Sequence, residues 1–264
     1  MTTTETSKLM FDFEASEDIK EDFAKFTKKA SLMDAVKKCS VEAVGTYFLA
    51  STVALSVARA GDFAPLAIGL ILAVMIYAFG HISGAHLNPA VTLAVYIRGR
   101  IDYMSAMAYV VAQFVGAFVG AAQQKEVLAA LVPAEMSGYP AMPNGTNNNG
   151  TVLGVEFGTA FLTEATFTFA LAIVVLNVAT VKKHANNSFY GLAIGFTVTA
   201  AAFAAGSISG GAFNPAIGIA LPAVHGVTDD FSLYLFGPLL GGALAGGFFR
   251  LTVDAEELKE LKKE

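Results

Sequence analysis

One short segment occurs twice in the chain. Ser83-Gly84-Ala85-His86-Leu87-Asn88-Pro89-Ala90 returns 126 residues later as Ser209-Gly210-Gly211-Ala212-Phe213-Asn214-Pro215-Ala216. An acidic residue inside an apolar run precedes each copy: Glu42 lies 46 residues before Asn88, and Glu164 lies 50 before Asn214. The chain is therefore built as two related halves, each of which has to house the same unit.

The surroundings of that unit are apolar. Residues 1–38 carry 15 charged side chains and residues 251–264 carry eight, while the 212 residues between them carry only 16. A soluble domain averages roughly one charged residue in four. The distribution predicts an all-α membrane domain at 38–252 between polar tails at 1–37 and 253–264. The net charge of −5 and the few basic residues of the body leave no footprint for nucleic acid. A single cysteine, Cys39, excludes a disulfide framework or a cysteine-rich metal site. No two histidines have metal-ligand spacing, so neither a metal nor another cofactor is expected. The first apolar run begins near residue 39, behind charged sequence, so the first membrane helix is expected to serve as the insertion signal.

A helix needs about 20 apolar residues to cross about 30 Å of hydrocarbon. Six stretches meet that length, near 39–58, 66–84, 104–122, 152–180, 189–207 and 231–251. Lys28, Lys29, Lys37, Lys38, Arg98, Arg100, Lys182 and Lys183 fall on one side of this layout, which predicts both tails on the cytoplasmic side. The connection at 123–150 is then external, and its Asn144-Gly-Thr and Asn149-Gly-Thr are glycosylation sequons. The sequon at Asn186 faces the cytoplasm and is expected to stay bare. Glycine pairs at four-residue spacing (Gly116/Gly120, Gly154/Gly158, Gly237/Gly241, Gly242/Gly246) suit close helix packing in lipid.

Three spans separate the two motif copies. That odd number inverts one repeat, about 38–122, relative to the other, about 152–252, and such inverted repeats with broken segments point to a site at mid-membrane. Asn is a favoured N-cap and Pro is favoured at the first helical position. The ten residues after each motif, Ala90–Gly99 and Ala216–His225, make about 15 Å of helix, half a bilayer. Two re-entrant half-helices should meet at their N-termini, where each places about half a positive charge. Cations are repelled there, and neutral molecules with lone pairs are held by the Asn amides. The lead-ins Gly84–Leu87 and Gly210–Phe213 are expected to run extended and expose carbonyls as a row of acceptors, since irregular backbone at this depth is tolerated where it lines an aqueous cavity.

The paired Asn-Pro-Ala boxes, the Ser-Gly-Ala-His lead-in, the Glu-x-x-Gly-Thr of the first span and Phe236-Gly237-Pro238 of the last resemble the aquaporin, or major intrinsic protein, family over about residues 38–252. The resemblance implies six transmembrane helices plus two half-helices, a homotetramer in the lipid bilayer with one pore per chain, and small neutral solutes as the permeants. It also implies that Glu42 and Glu164 accept hydrogen bonds from the re-entrant loops; the competing reading gives them proton or cation coupling. His86 is expected beside the first half-helix at the cytoplasmic half of the pore, and His81 as a packed helix residue.

The chain departs from the family at the outer filter. Ile217 stands three residues after Asn214, where the family usually has Arg. Counting from the motifs, the remaining filter positions are Ile68, Ala202 and Gly211. Gly218 and Tyr234 are water-channel-like, whereas Leu235-Phe236-Gly237-Pro238 is glycerol-channel-like. The expectation is a passive channel, not an enzyme, for water and small uncharged solutes such as glycerol and urea, in the plasma membrane. A strictly water-selective pore and an ion-coupled secondary transporter are the alternatives.

Overall fold

The computed structural model describes the backbone of residues 17–131, 151–152 and 155–252, with side chains for 31–131 and 155–252. Contacts divide the chain into two units, Met1–Lys37 and Lys38–Glu264. The first is helical over its described residues, 17–37. The second carries everything that follows. The sequons Asn144 and Asn149, Gly154 and the tail at 253–264 lie outside the described residues.

The helices are α1 Glu17–Arg59, α2 Ala64–Ser83, α3 Pro89–Arg98, α4 Tyr103–Leu131, α5 Phe157–Thr180, α6 Tyr190–Ser209, α7 Pro215–Val224 and α8 Phe231–Thr252. Among the described residues, six helices are long and apolar enough to cross a membrane, α1 through its part Ser31–Arg59. The short helices α3 and α7 have ten residues each. Their bounds differ by one residue from those expected, because each motif proline is itself helical.

Three spans differ more. Helix α1 starts at Glu17 rather than near 39, since 17–38 is rich in Lys, Glu and Ala, which form helix without any hydropathy signal. Helix α4 runs to Leu131 rather than 122. Residues 122–131 are good helix formers, and the Tyr47 hydroxyl donates to Gln123 Oε1 to hold the extension. Helix α5 starts at Phe157, because Thr151–Val152 and Val155–Glu156 form a small antiparallel hairpin, Thr151 opposite Glu156. Ahead of α4, Asp102 Oδ1 accepts the Ser105 N–H at 3.0 Å, and the Ser105 bonds hold its carboxyl below the usual carboxylate range.

Helix pairing follows the repeat. Helices α2 and α6 pack on each other, α5 packs on α8, and each half-helix packs on the last helix of the other repeat, α3 on α8 and α7 on α4. Glycines allow these approaches. A Cβ at Gly116 would stand 2.0 Å from the Ala43 carbonyl oxygen, and one at Gly241 would stand 2.3 Å from that of Ala165. Gly120 faces Tyr47 in the same way, while Gly242 and Gly246 face α3. Gly158 has open space around it. The close glycine faces are thus used inside one chain. The surface left outward is apolar, as on α4, where Met107, Val111, Val115 and Val119 are all exposed.

Candidate functional site

The half-helices begin at the two asparagines. Asn88 (φ −159°, ψ 122°) and Asn214 (φ −152°, ψ 112°) are extended N-caps. Asn88 Oδ1 accepts the Ala90 N–H at 2.8 Å, and Asn214 Oδ1 accepts that of Ala216 at 3.0 Å. Pro89 and Pro215 occupy the first helical position, where a missing N–H costs nothing. The amides then cross between repeats. Asn88 Nδ2 donates to the Phe213 carbonyl and Asn214 Nδ2 to that of Leu87, each at 2.8 Å. One N–H of each amide is therefore tied to the opposite loop, leaving one for a permeant.

Upstream, α2 and α6 stop at Gly84 (φ 90°) and Gly210 (φ 91°). The lead-ins are not extended as expected. Ala85 (φ 48°), Leu87 (φ 51°), Gly211 (φ 66°) and Phe213 (φ 47°) are left-handed. Non-glycine residues in that region cost about 1–3 kcal/mol each unless their surroundings hold them. The buried acids supply the hold. Glu42 accepts from Ser83 Oγ (2.6 Å), His86 N (2.9 Å), Leu87 N (2.8 Å) and Gln113 Nε2 (2.8 Å). Glu164 accepts from Ser209 Oγ (2.7 Å), Ala212 N (3.0 Å) and Phe213 N (2.7 Å). Both carboxylates are fully buried and bonded to their loops.

Several supporting residues were not singled out for these roles in the sequence. Tyr109 and Tyr234 donate their hydroxyls to the Ser83 and Ser209 carbonyls, at 2.9 and 2.7 Å. Lys125 Nζ donates to the Val224 carbonyl at 2.7 Å, and Arg250 Nη1 to that of Ile97 at 3.2 Å. These put a cation on the C-terminal end of each half-helix, where it is favourable. The members of each pair stand 125 residues apart, one short of the 126-residue repeat offset, so a search near that offset could have found them. Gly218 and Tyr234 are coupled by packing, because a Cβ at Gly218 would lie 2.6 Å from the Tyr234 Cβ. There is no room for a larger residue at 218 while the tyrosine holds this place.

A cavity of about 750 Å³ runs past both motifs. Its wall includes Ala64 in the first turn of α2 and His81 in its last, so it follows that helix for about 25 Å of rise. Gly84, Ala85, His86, Leu87 and Asn88 border it, as do Gly210, Gly211, Ala212, Phe213 and Asn214. Pro89, Ala90, Pro215 and Ala216 are buried behind the wall. Ile68, Ala202, Gly211 and Ile217 all border the same cavity. Gly211 is restricted by its backbone and by the Phe213 ring, 3.3 Å from where a Cβ would stand. Beyond the junction the wall is aliphatic, with Leu49, Val53, Val91 and Val175. His81 is exposed and borders the cavity rather than packing within the bundle, and His184 joins it there. Among the described residues no group of His, Cys, Asp and Glu could hold a metal ion.

A bundle of six spans with two re-entrant half-helices around a cavity that passes both motifs defines a membrane channel. The profile of the family described as "Major intrinsic protein" matches residues 28–249. The chain belongs to that family. The glycerol uptake facilitator protein-like 6 of Lactiplantibacillus plantarum is 37% identical over 216 residues, covering 80% of this chain and 95% of its own. A probable aquaporin NIP-type of Nicotiana alata is 34% identical over 248 residues, covering 90% and 86%. The X-ray structure of the aquaglyceroporin from Plasmodium falciparum has the same fold, with TM-score 0.70 at 22% identity, over 85% of this chain and 99% of that one.

Proposed function

We propose that this channel for water and small solutes works passively, that glycerol and urea are among its permeants, and that it excludes ions and protons. The observation that carries the reading is the set Ile68, Ala202, Gly211 and Ile217 around one cavity, with two small residues and no charge among them. Pore diameter and lining groups set selectivity, and nothing at these positions narrows the opening as an arginine does. The relative named a glycerol uptake facilitator supports glycerol as a permeant.

A permeant exchanges its water shell for carbonyls along one wall and keeps its carbon side against the aliphatic wall. At the centre it meets the remaining amide N–H of Asn88 and Asn214. The half-helix N-termini oppose any cation there. Glu42 and Glu164 act as loop supports, since their oxygens are occupied by loop donors, which disfavours ion coupling. The pore-lining carbonyls are those of Gly84–Leu87 and Gly210–Phe213. The outward apolar helix faces suit lipid and neighbouring copies in a homotetramer, with both termini cytoplasmic and the plasma membrane as the location.

Stopped-flow light scattering of proteoliposomes under mannitol, glycerol and urea gradients tests the reading. Fast water flow with re-swelling in glycerol and urea is expected. Fast water flow with both solutes excluded selects the strictly water-selective alternative, and accumulation driven by a proton or sodium gradient selects the transporter.

A further inference from the structure

The two repeats finish the cavity differently at its two ends. Helices α2 and α6 are both 20 residues long, each follows a phenylalanine (Phe63, Phe189), and each stops at its motif serine. The 126-residue offset therefore runs through them without a gap. It pairs Ala64 with Tyr190, Tyr77 with Phe203 and Gly80 with Gly206. A Cβ at Gly69 would meet Thr199, one at Gly195 would meet Ala73, and one at Gly191 would meet Tyr77. As one number rises the other falls, so the helices run antiparallel. Gly80 and Tyr190 share one end of the pair, and Ala64 and Gly206 share the other.

All four of these residues border the cavity, but only one end carries a ring. A Cβ at Gly80 would stand 3.5 Å from Tyr190 Cε2 and 3.6 Å from its Oη, so the ring lies over the α2 backbone. A Cβ at Gly206 meets nothing within 4 Å. The open end is the one next to the filter, one helical turn beyond Ile68 and Ala202.

Tyr190 is also held in place. The Tyr77 hydroxyl donates to the Ser188 carbonyl at 3.0 Å and accepts the Leu192 N–H at 3.2 Å, which fixes the chain on both sides of Tyr190. The two rings meet edge to face, with centroids 5.2 Å apart and planes at 73°. The Tyr77 ring also presses on Gly191, where a Cβ would stand 2.8 Å from it. The Tyr190 hydroxyl has no hydrogen-bond partner among the described residues. Packing and backbone, rather than the polar tip, therefore set the ring. The other end lacks the whole device, because Phe203 brings no hydroxyl and Ala64 no ring.

We propose that Tyr190 sets the width limit of this pore. The filter positions, with small Ala202 and Gly211 among them, leave sorting by width to the opposite end, where a fixed ring fills space that its counterpart leaves open. Slim solutes such as glycerol pass the ring, and branched solutes of the same chemistry are retarded there. Tyr77 is a positioning residue that holds the ring. The proposal rests on the channel reading above and names where its selectivity by diameter resides.

The test compares glycerol with trimethylolethane, triols that differ in branching and hence in width, in proteoliposomes and protein-free liposomes. One added carbon unit against a rigid wall commonly changes a rate by about tenfold or more. After subtraction of the lipid background, wild-type glycerol flux should exceed trimethylolethane flux by at least that factor. Tyr190→Ala should cut the ratio several-fold by admitting the branched triol, and Tyr190→Phe, which keeps the ring, should hold it. A tyrosine that only braced the helices would lower both fluxes together and leave the ratio alone. Where Tyr190→Ala does not fold, Tyr190→Leu takes its place. Exclusion of both triols by wild type, with entry in the variant, also supports the ring as the limit. Equal wild-type fluxes, an unchanged ratio in the folded variant, a Tyr190→Phe ratio as low as that of Tyr190→Ala, or exclusion of both triols by wild type and variant alike overturns it. Water flux separates the two levels: fast water flow with any of those results sinks only the width limit, whereas water flow at the protein-free rate sinks the channel reading too.

Discussion

Gly242 of α8 meets Ala90 of α3 so closely that a Cβ on the glycine would stand 2.3 Å from the Ala90 carbonyl oxygen. Backbone cannot yield as a flexible side chain can. Gly242→Ala should displace the first half-helix, lower stability by about 1–3 kcal/mol as overpacking does, and reduce water flux. Gly247, five residues on in the same helix, has open space around it. Gly247→Ala should be neutral or stabilising by about 0.5–1 kcal/mol. Thermal melts in detergent followed by circular dichroism check both, and equal melting points would show that the contact is not tight.

Removing an asparagine breaks two bonds at once. Asn214→Ala loses the cap on α7, typically about 1 kcal/mol, and the bond to the Leu87 carbonyl. Lower stability and a measurable cation leak are expected. Normal expression, normal water flux and intact cation exclusion in this variant would contradict the central junction.

Glu164→Gln asks whether the acid is a support or a coupling group. Three donors converge on the carboxylate. A Gln offers one oxygen and adds donors of its own, leaving at least one buried donor orphaned at about 1–3 kcal/mol. The variant should express poorly and melt early. A well-folded Glu164→Gln that lost only an ion-driven flux would favour the transporter.

Ile217→Arg should lower glycerol flux while sparing water flux. The new side chain would occupy the cavity beside Ile68, Ala202 and Gly211 and add fixed charge there, and pore diameter and lining charge are both determinants of selectivity. Paired water and glycerol measurements on one liposome preparation decide it, and unchanged glycerol flux would place the constriction elsewhere.

Mercurials should inhibit weakly. Cys39, free and half-buried in α1, does not border the cavity. Strong block that a thiol reverses and Cys39→Ser abolishes would place this residue at the conduction path.

The half-helices were legible to within a residue because Asn, Pro and the following apolar runs encode cap, first turn and length locally. The lead-ins were misread as extended, because alanine, leucine and phenylalanine do not announce a left-handed backbone. Only the convergence of Glu42 and Glu164 on their N–H groups keeps them there. The charged start of α1 and the polar end of α4 escaped a reading based on hydropathy, since neither is apolar. Gly242 and Gly246 were recognised as packing residues, but their partner, a half-helix of the other repeat, is a tertiary fact no local pattern carries.

The crossed docking of α3 on α8 has a consequence for biosynthesis. The groove that receives the first half-helix is made by α8, which is translated long after α3, and the Leu87 carbonyl awaits an amide 127 residues downstream. The first re-entrant loop cannot reach its final place during translation of its own half, so a fragment ending before α7 should enter the bilayer with that loop unfinished.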